Sequence, residues 1–195
     1  MLNMFIYSIS VTKRFGRLPL FRYLCSVIAI KEVVGSITKI LKTKTMEVYH
    51  GSNTIVEKPE VRIAGYTKDF GYGFYCTKYE RQAQRWAVTK RSPHIVCVYE
   101  YTPNPELKVK SFPVMTDEWL DFVAACRHGE SHDYDIVEGP MADDEVWDYV
   151  EDFLANRITR EAFWALARFK HPTHQLLFCN DRALKTLTFK KSYAL

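Results

Sequence analysis

Two short segments constrain this chain more than anything else in it. Tyr49-His50-Gly51-Ser52 and Gly73-Phe74-Tyr75-Cys76-Thr77 both read as strands. They carry a histidine, glycines and hydroxyl side chains where a strand usually carries packing residues. Trp86 follows Tyr75 by eleven positions, in a stretch where Ala83, Trp86 and Ala87 fall at i, i+3 and i+4. That spacing predicts a helix over 79–89 with the three on one face. A strand bearing His-Gly, a second bearing Gly-Phe-Tyr-x-Thr and a helix bringing another aromatic over the tyrosine can form a slot for a flat pyridinium ring.

Elsewhere short strands alternate with helices. The β-branched apolar run over 94–101 predicts a central strand. Thr116, with Asp117 and Glu118 behind it, predicts a capped helix over 116–127 that stops at Gly129. A strand over 134–137 precedes Gly139-Pro140. Asp143 and Asp144 then open a helix through Leu154, and Thr159 opens another that Pro172 terminates. Strands over 174–179 and 186–190, joined by an Asn180-Asp181 turn, close the pattern. Strands on both sides of an inserted helical block imply an α+β fold.

Charge divides the chain of 195 residues unevenly. Residues 1–45 hold eight Lys/Arg against one acid, while 46–195 hold nineteen against twenty-two. The mildly acidic second part argues against a nucleic-acid partner. The basic extension, 1–45, reads in two ways. Leu24, Ile28, Val33, Ile37, Ile40 and Leu41 give a rough amphipathic stripe, hence a surface helix for a membrane or partner. Met46 directly before the first strand favours the other reading, an upstream start codon with no functional role. Phe21 to Ile30 is too short and too charged to span a bilayer. Five cysteines without CxxC spacing fit a reducing cytoplasm. His171, His174 and Cys179 lack a fourth ligand and are split by Pro172, so no metal is expected.

Cleavage of a ribosyl–pyridinium bond, the chemistry implied by the family these motifs resemble, would suit such a slot. Such a site must hold the ring rigidly and stabilise positive charge on the ribose only as it develops. Two aromatic faces serve the ring, a histidine can bond ribose hydroxyls, and a glycine lets backbone groups approach closely.

These motifs resemble the ADP-ribosyltransferase superfamily, in its diphtheria-toxin and poly(ADP-ribose) polymerase (His–Tyr–Glu) branch. Closer still, they are similar to short bacterial domains sharing a Lys-Asp-Phe-Gly-x-Gly-Phe-Tyr segment (Lys68 to Tyr75) and a Gln-Ala-x-x-Trp-Ala helix (Gln82 to Ala87). Those domains also share a Gly-Pro-x-Ala-Asp-Asp loop (Gly139 to Asp144) and a His-Gln strand (His174 to Phe178). The resemblance covers about 46–191.

It implies a split β-sheet with an inserted helical block, NAD as substrate, and no metal. His50 would bind a ribose, Gly51 and Ser52 would line the nicotinamide end, and Tyr75 and Trp86 would sandwich the pyridinium. Gln175 stands where the branch carries its catalytic glutamate, which keeps a hydrogen bond and lacks the charge. His50, Tyr75 and Gln175 are thus the implied catalytic residues. Lys68, Asp69 and Tyr72 would form a lid. The implied activity is transfer of one ADP-ribose to an acceptor, a protein more than a nucleic acid, or hydrolysis of NAD. A cytoplasmic bacterial toxin-like role, with an antitoxin or immunity partner, belongs to the same implication.

Each residue also has a plain structural role to weigh. His50 can be a satisfied strand histidine, Tyr75 and Trp86 core aromatics, and Gln175 a solvated strand end. Asp143 and Asp144 are helix-start acids or, alternatively, grip an acceptor. A catalytically silent NAD- or nucleotide-binding module and an interaction protein therefore stand beside the transferase.

Overall fold

A computed structural model describes residues 45–63, 68–142, 144–167 and 172–195 of the chain. The extension up to residue 44, Asp143 and His171 lie outside the described residues, and with them the expectations attached to those positions.

The apolar run expected to be central is central. β3 (Ile95–Tyr101) is buried along almost its whole length. It lies between β1 (Met46–Ser52) and β7 (Leu187–Ala194), antiparallel to both. A bulge at Val98/Tyr99 shifts its register against β7. One face of this sheet, with Val48, Cys97, Tyr99 and Tyr101, faces a core shared with the second sheet. The other face carries α1 (Glu80–Val88), whose Ala83 and Ala87 are fully buried against Val96.

The second sheet runs β2 (Phe74–Cys76), β6 (Gln175–Phe178), β5 (Ile136–Gly139), β4 (Val109–Ser111). β4 and β5 are parallel, and α2 (Asp117–Arg127) lies in the crossover between them. β4 has no sequence signal beyond a single valine and was not expected. Leu176 and Phe178 face the shared core. Tyr75, Val137 and Leu177 face a second core built with α2, α3 (Asp144–Leu154) and α4 (Arg160–Leu166). Thr116 and Thr159 cap α2 and α4 as expected. α4 nevertheless ends by Leu166, well before Pro172, and the Asn180-Asp181 turn proves to be the cap and start of a one-turn helix, α5 (Asp181–Leu184). The architecture is α+β, with two sheets and five helices among the described residues. None of those helices is long and apolar enough to cross a membrane.

Besides the shared core, one backbone bridge joins the two sheets among the described residues. Tyr49 and Thr77 exchange backbone hydrogen bonds of 2.8 and 2.9 Å, after which β1 and β2 separate. Gln82 ties α1 to the other sheet, donating to His174 O at 2.7 Å and accepting from His174 N at 3.1 Å.

Gly51 marks where α1 lies closest to β1. A Cβ there would stand 2.2 Å from Ala83 O and 2.6 Å from Ala87 N, both backbone atoms that cannot swing aside. Gly51→Ala is therefore expected to push α1 off the sheet and to cost about 3 kcal/mol or more, at or above the upper end of ordinary overpacking. Urea unfolding checks it. A shift in midpoint no larger than that of a surface substitution would contradict this packing.

Candidate functional site

His50 occupies the point where the sheets part. Its ring stacks on Phe74 with centroids 4.4 Å apart, and its Nδ1 lies 2.7 Å from Tyr75 O. A carbonyl only accepts, so Nδ1 carries the proton and donates. Burial pushes the imidazole from its ordinary 6.5 down to about 4, against the opposing pull of that hydrogen bond, with the charges of Lys68, Lys90 and Arg62 adding to the fall. The ring is neutral at pH 7, and Nε2 is a bare acceptor.

The same bond explains the gap. Tyr49 and Thr77 point their peptide groups at each other, so alternation along the strands turns the peptide groups of Gly51 and Tyr75 toward the same seam. A continued ladder would join them. Instead the imidazole takes the Tyr75 carbonyl, and the N–H and C=O of Gly51 have no strand opposite among the described residues. Buried backbone groups in that position call for a partner. Trp86 stands over this glycine, its Cβ 2.9 Å from where a Gly51 Cβ would be. Ser52 is turned to its own loop, its Oγ accepting from Thr54 N at 3.2 Å.

Tyr75 is both a core residue and a loop anchor. Only 7% exposed, it packs in the second core. Its hydroxyl donates to Gly71 O at 2.8 Å and accepts from Phe70 N at 3.2 Å. The Lys68 ammonium sits 4.8 Å from the ring centroid, so one face of the ring already carries a cation. Trp86 is half-buried, and its ring makes no aromatic contact among the described residues. The structure thus joins His50 to the Tyr75 carbonyl and sets Trp86 over Gly51, and no ring contact links Tyr75 to Trp86 among the described residues.

Gln175 is not a solvated strand end. It is 3% exposed and shares the β6 face of Leu177, the face that also carries Tyr75 on β2. Its Nε2 donates to Asp69 Oδ2 at 3.0 Å and to Pro140 O at 3.2 Å. Two acceptors fix the amide's orientation, and Oε1 accepts no hydrogen bond among the described residues. Asp69 differs from the lid residue expected of it. Also 3% exposed, it accepts from Arg127 Nε and Nη2 at 3.2 and 2.6 Å and from Ala142 N at 2.9 Å. Tyr72, by contrast, is 38% exposed.

A groove of about 510 Å³ lies elsewhere, between the β4–α2 loop, the end of β5, Trp164 of α4 and the approach to β6. His174 and Glu138 line it; His50, Tyr75, Trp86 and Gln175 do not. Successive strand residues point to opposite faces, so His174 and Gln175 serve opposite sides of β6. The sequence held signals for this groove in Gly139-Pro140 and His174, members of the shared loop and strand motifs, with His174 also weighed as a metal ligand. Burial raises the Cys76 thiol well above its ordinary value and takes Cys126 and Cys179 up to about 12, so none of the three is an activated nucleophile.

The His50 assignment predicts a pH signature. The unfolded chain takes up this proton near 6.5, the folded chain only near 4. Between those values the unfolded state binds more protons, so His50 makes the fold lose stability as pH falls through that window and contributes no slope above it. Urea midpoints of wild type and His50→Gln measured from pH 7 to 4 check it. Parallel curves would contradict the buried, neutral ring.

Comparison with known proteins adds one finding. No curated protein and no solved structure matches the chain. A family model does, over residues 46–189, from the first residue of β1 to within β7. The chain belongs to the family described as "Protein of unknown function (DUF3990)".

Proposed function

We propose that the opening between β1 and β2 binds the nicotinamide end of NAD, and that the protein cleaves the nicotinamide–ribose bond and passes a single ADP-ribose to an acceptor or to water. One observation carries this reading: the His50–Tyr75 hydrogen bond, which presents a neutral Nε2 acceptor beside the peptide groups of Gly51, which have no strand opposite among the described residues. A carboxamide offers one donor and one acceptor, the complement of the Gly51 C=O and N–H. The pyridinium would take the place of the Lys68 ammonium on Tyr75, exchanging one cation for another, with Trp86 closing over Gly51. Nε2 of His50 and Oε1 of Gln175 would accept from ribose hydroxyls.

In the reaction the C1′–N bond breaks with its electron pair going to nicotinamide, which leaves neutral. The oxocarbenium carbon is then attacked by the acceptor, which gives up its proton. Gln175 holds the sugar without adding charge, and Asp69 behind it is matched by Arg127. Elongation to a polymer is not part of the proposal. The proposed toxin-like setting, cytoplasmic and paired with an immunity protein, rests on the resemblance of the motifs alone. A second reading, a silent NAD-binding module, draws on the absence of an unpaired carboxylate beside Gln175 among the described residues.

Incubation with NAD and bacterial lysate, followed by mass spectrometry, separates them. Free nicotinamide with ADP-ribose or an ADP-ribosylated product supports the transferase; binding without turnover supports the silent module; no binding removes both. Trp86→Ala, half-buried and free of hydrogen bonds through its ring, should weaken NAD binding about five- to thirtyfold by loss of stacking. Tyr75→Ala would confuse binding with folding, because the ring is core and its hydroxyl holds a loop. Gln175→Glu should not act as a simple gain of charge. It sets a second carboxylate 3.0 Å from Asp69 and removes the donor to Pro140 O. The fold should lose about 1–3 kcal/mol at pH 7 in urea unfolding. A glutamate variant as stable as wild type would show that Asp69 does not orient residue 175.

A further inference from the structure

We infer that the groove beside β5 and β6 is a separate binding site for an arginine side chain of a polypeptide, with Glu138 as its anchor. The inference stands independently of the NAD reading, since Glu138 and His174 lie on the opposite face of the sheet from Gln175.

Glu138 is an unusual carboxylate. About two-thirds of its side chain is buried, 34% remaining exposed, and its polar partner is His174 Nε2 at 3.0 Å on Oε1. The backbone N–H of Lys78 donates to His174 Nδ1 at 3.2 Å, so that nitrogen bears no proton and the imidazole is neutral. His174 therefore donates a hydrogen bond to Glu138 without offering it a counter-charge. No lysine or arginine among the described residues lies within ion-pair distance of Glu138. That hydrogen bond holds the carboxyl below its ordinary range against the burial that raises it. Oε2 remains for a ligand, and a partly buried anion without a counter-ion favours a cation.

The walls decide which cation. Phe112, Pro113, Pro140 and the Trp164 ring line the groove, and Trp164 is fixed by its Nε1 hydrogen bond to Asp117 at 2.7 Å. An apolar stem with a planar charged head matches walls of this kind, with the stem on the prolines and the guanidinium against an aromatic face and a carboxylate. A volume of about 510 Å³ is that of a drug-sized ligand, larger than one side chain, and the groove is partly open to solvent. A short stretch of polypeptide fits that shape better than a free amine. The anchor is also rigid: the Gln82–His174 double hydrogen bond fixes the backbone that carries the imidazole.

The test uses the full chain and a blocked tripeptide, acetyl-Ala-Arg-Ala-amide, followed through the Trp164 indole N–H in proton–nitrogen correlation spectra. Saturable shifts at Trp164 and around Glu138 are expected. They should weaken about tenfold or more in Glu138→Gln, which keeps the shape and the His174 bond but loses the charge. The same peptide with citrulline for arginine should bind as weakly as the variant does. Equal binding of the citrulline peptide, unchanged binding by Glu138→Gln, or shifts confined to the Tyr75 opening would each overturn the inference. Agmatine supplies the free-amine arm: affinity equal to or above that of the tripeptide would overturn the polypeptide assignment.

Discussion

Asp69 lies at the junction of three parts of this protein. Its carboxylate accepts from the guanidinium of Arg127 at the end of α2, from the backbone N–H of Ala142 ahead of α3, and from the amide of Gln175 at the start of β6. Arg127 in turn reaches Trp147 O and Glu151 on α3, and its guanidinium lies 3.5 Å from the Trp147 ring. A charge this deeply buried persists only when its hydrogen-bonding capacity is filled, and removing one partner of such a pair destabilises by about 3–5 kcal/mol. The helical block is thereby held to the sheet by directional bonds as well as by apolar packing. The same bonds orient Gln175.

At the seam between the sheets, the imidazole of His50 takes the Tyr75 carbonyl just where β1 and β2 part. Strands as close as β1 and β2 would normally extend their ladder, because unpaired peptide groups inside a protein are unfavourable. The imidazole satisfies one of them, the Tyr75 carbonyl, and stacks on Phe74. The Gly51 groups remain for something else. Gly51 thus has two reasons to be glycine: helix α1 forbids a Cβ on one face, and the peptide edge faces the opening. The first reason suffices by packing alone; only the second bears on chemistry.

Much of this was legible in the sequence where the signal is local. The β-branched run of β3, the Ala83/Ala87 face of α1 and the threonine caps of α2 and α4 are patterns within a few residues, and each formed as expected. β4 has three residues and α5 one turn, too short to show a period. The role of Asp69 was not legible because its partner Arg127 is 58 residues away and nothing beside either marks the pairing. A Lys-Asp pair before glycines reads as a solvated loop, and burial by α2 and α3 reversed that. Gln175 was placed on the correct strand, yet its locked amide depends on the same long-range carboxylate. The groove at Glu138 arises from five separate segments, so no single motif marks it.

The most direct test of the account is a crystal structure of the protein with nicotinamide. The account predicts the carboxamide hydrogen-bonded to Gly51 N–H and C=O, the ring against Tyr75 with the Lys68 ammonium displaced, and His50 Nδ1 still on Tyr75 O. Nicotinamide bound in the Glu138 groove, or an opening between β1 and β2 that stays unchanged with Lys68 on the tyrosine at saturating ligand, would contradict it.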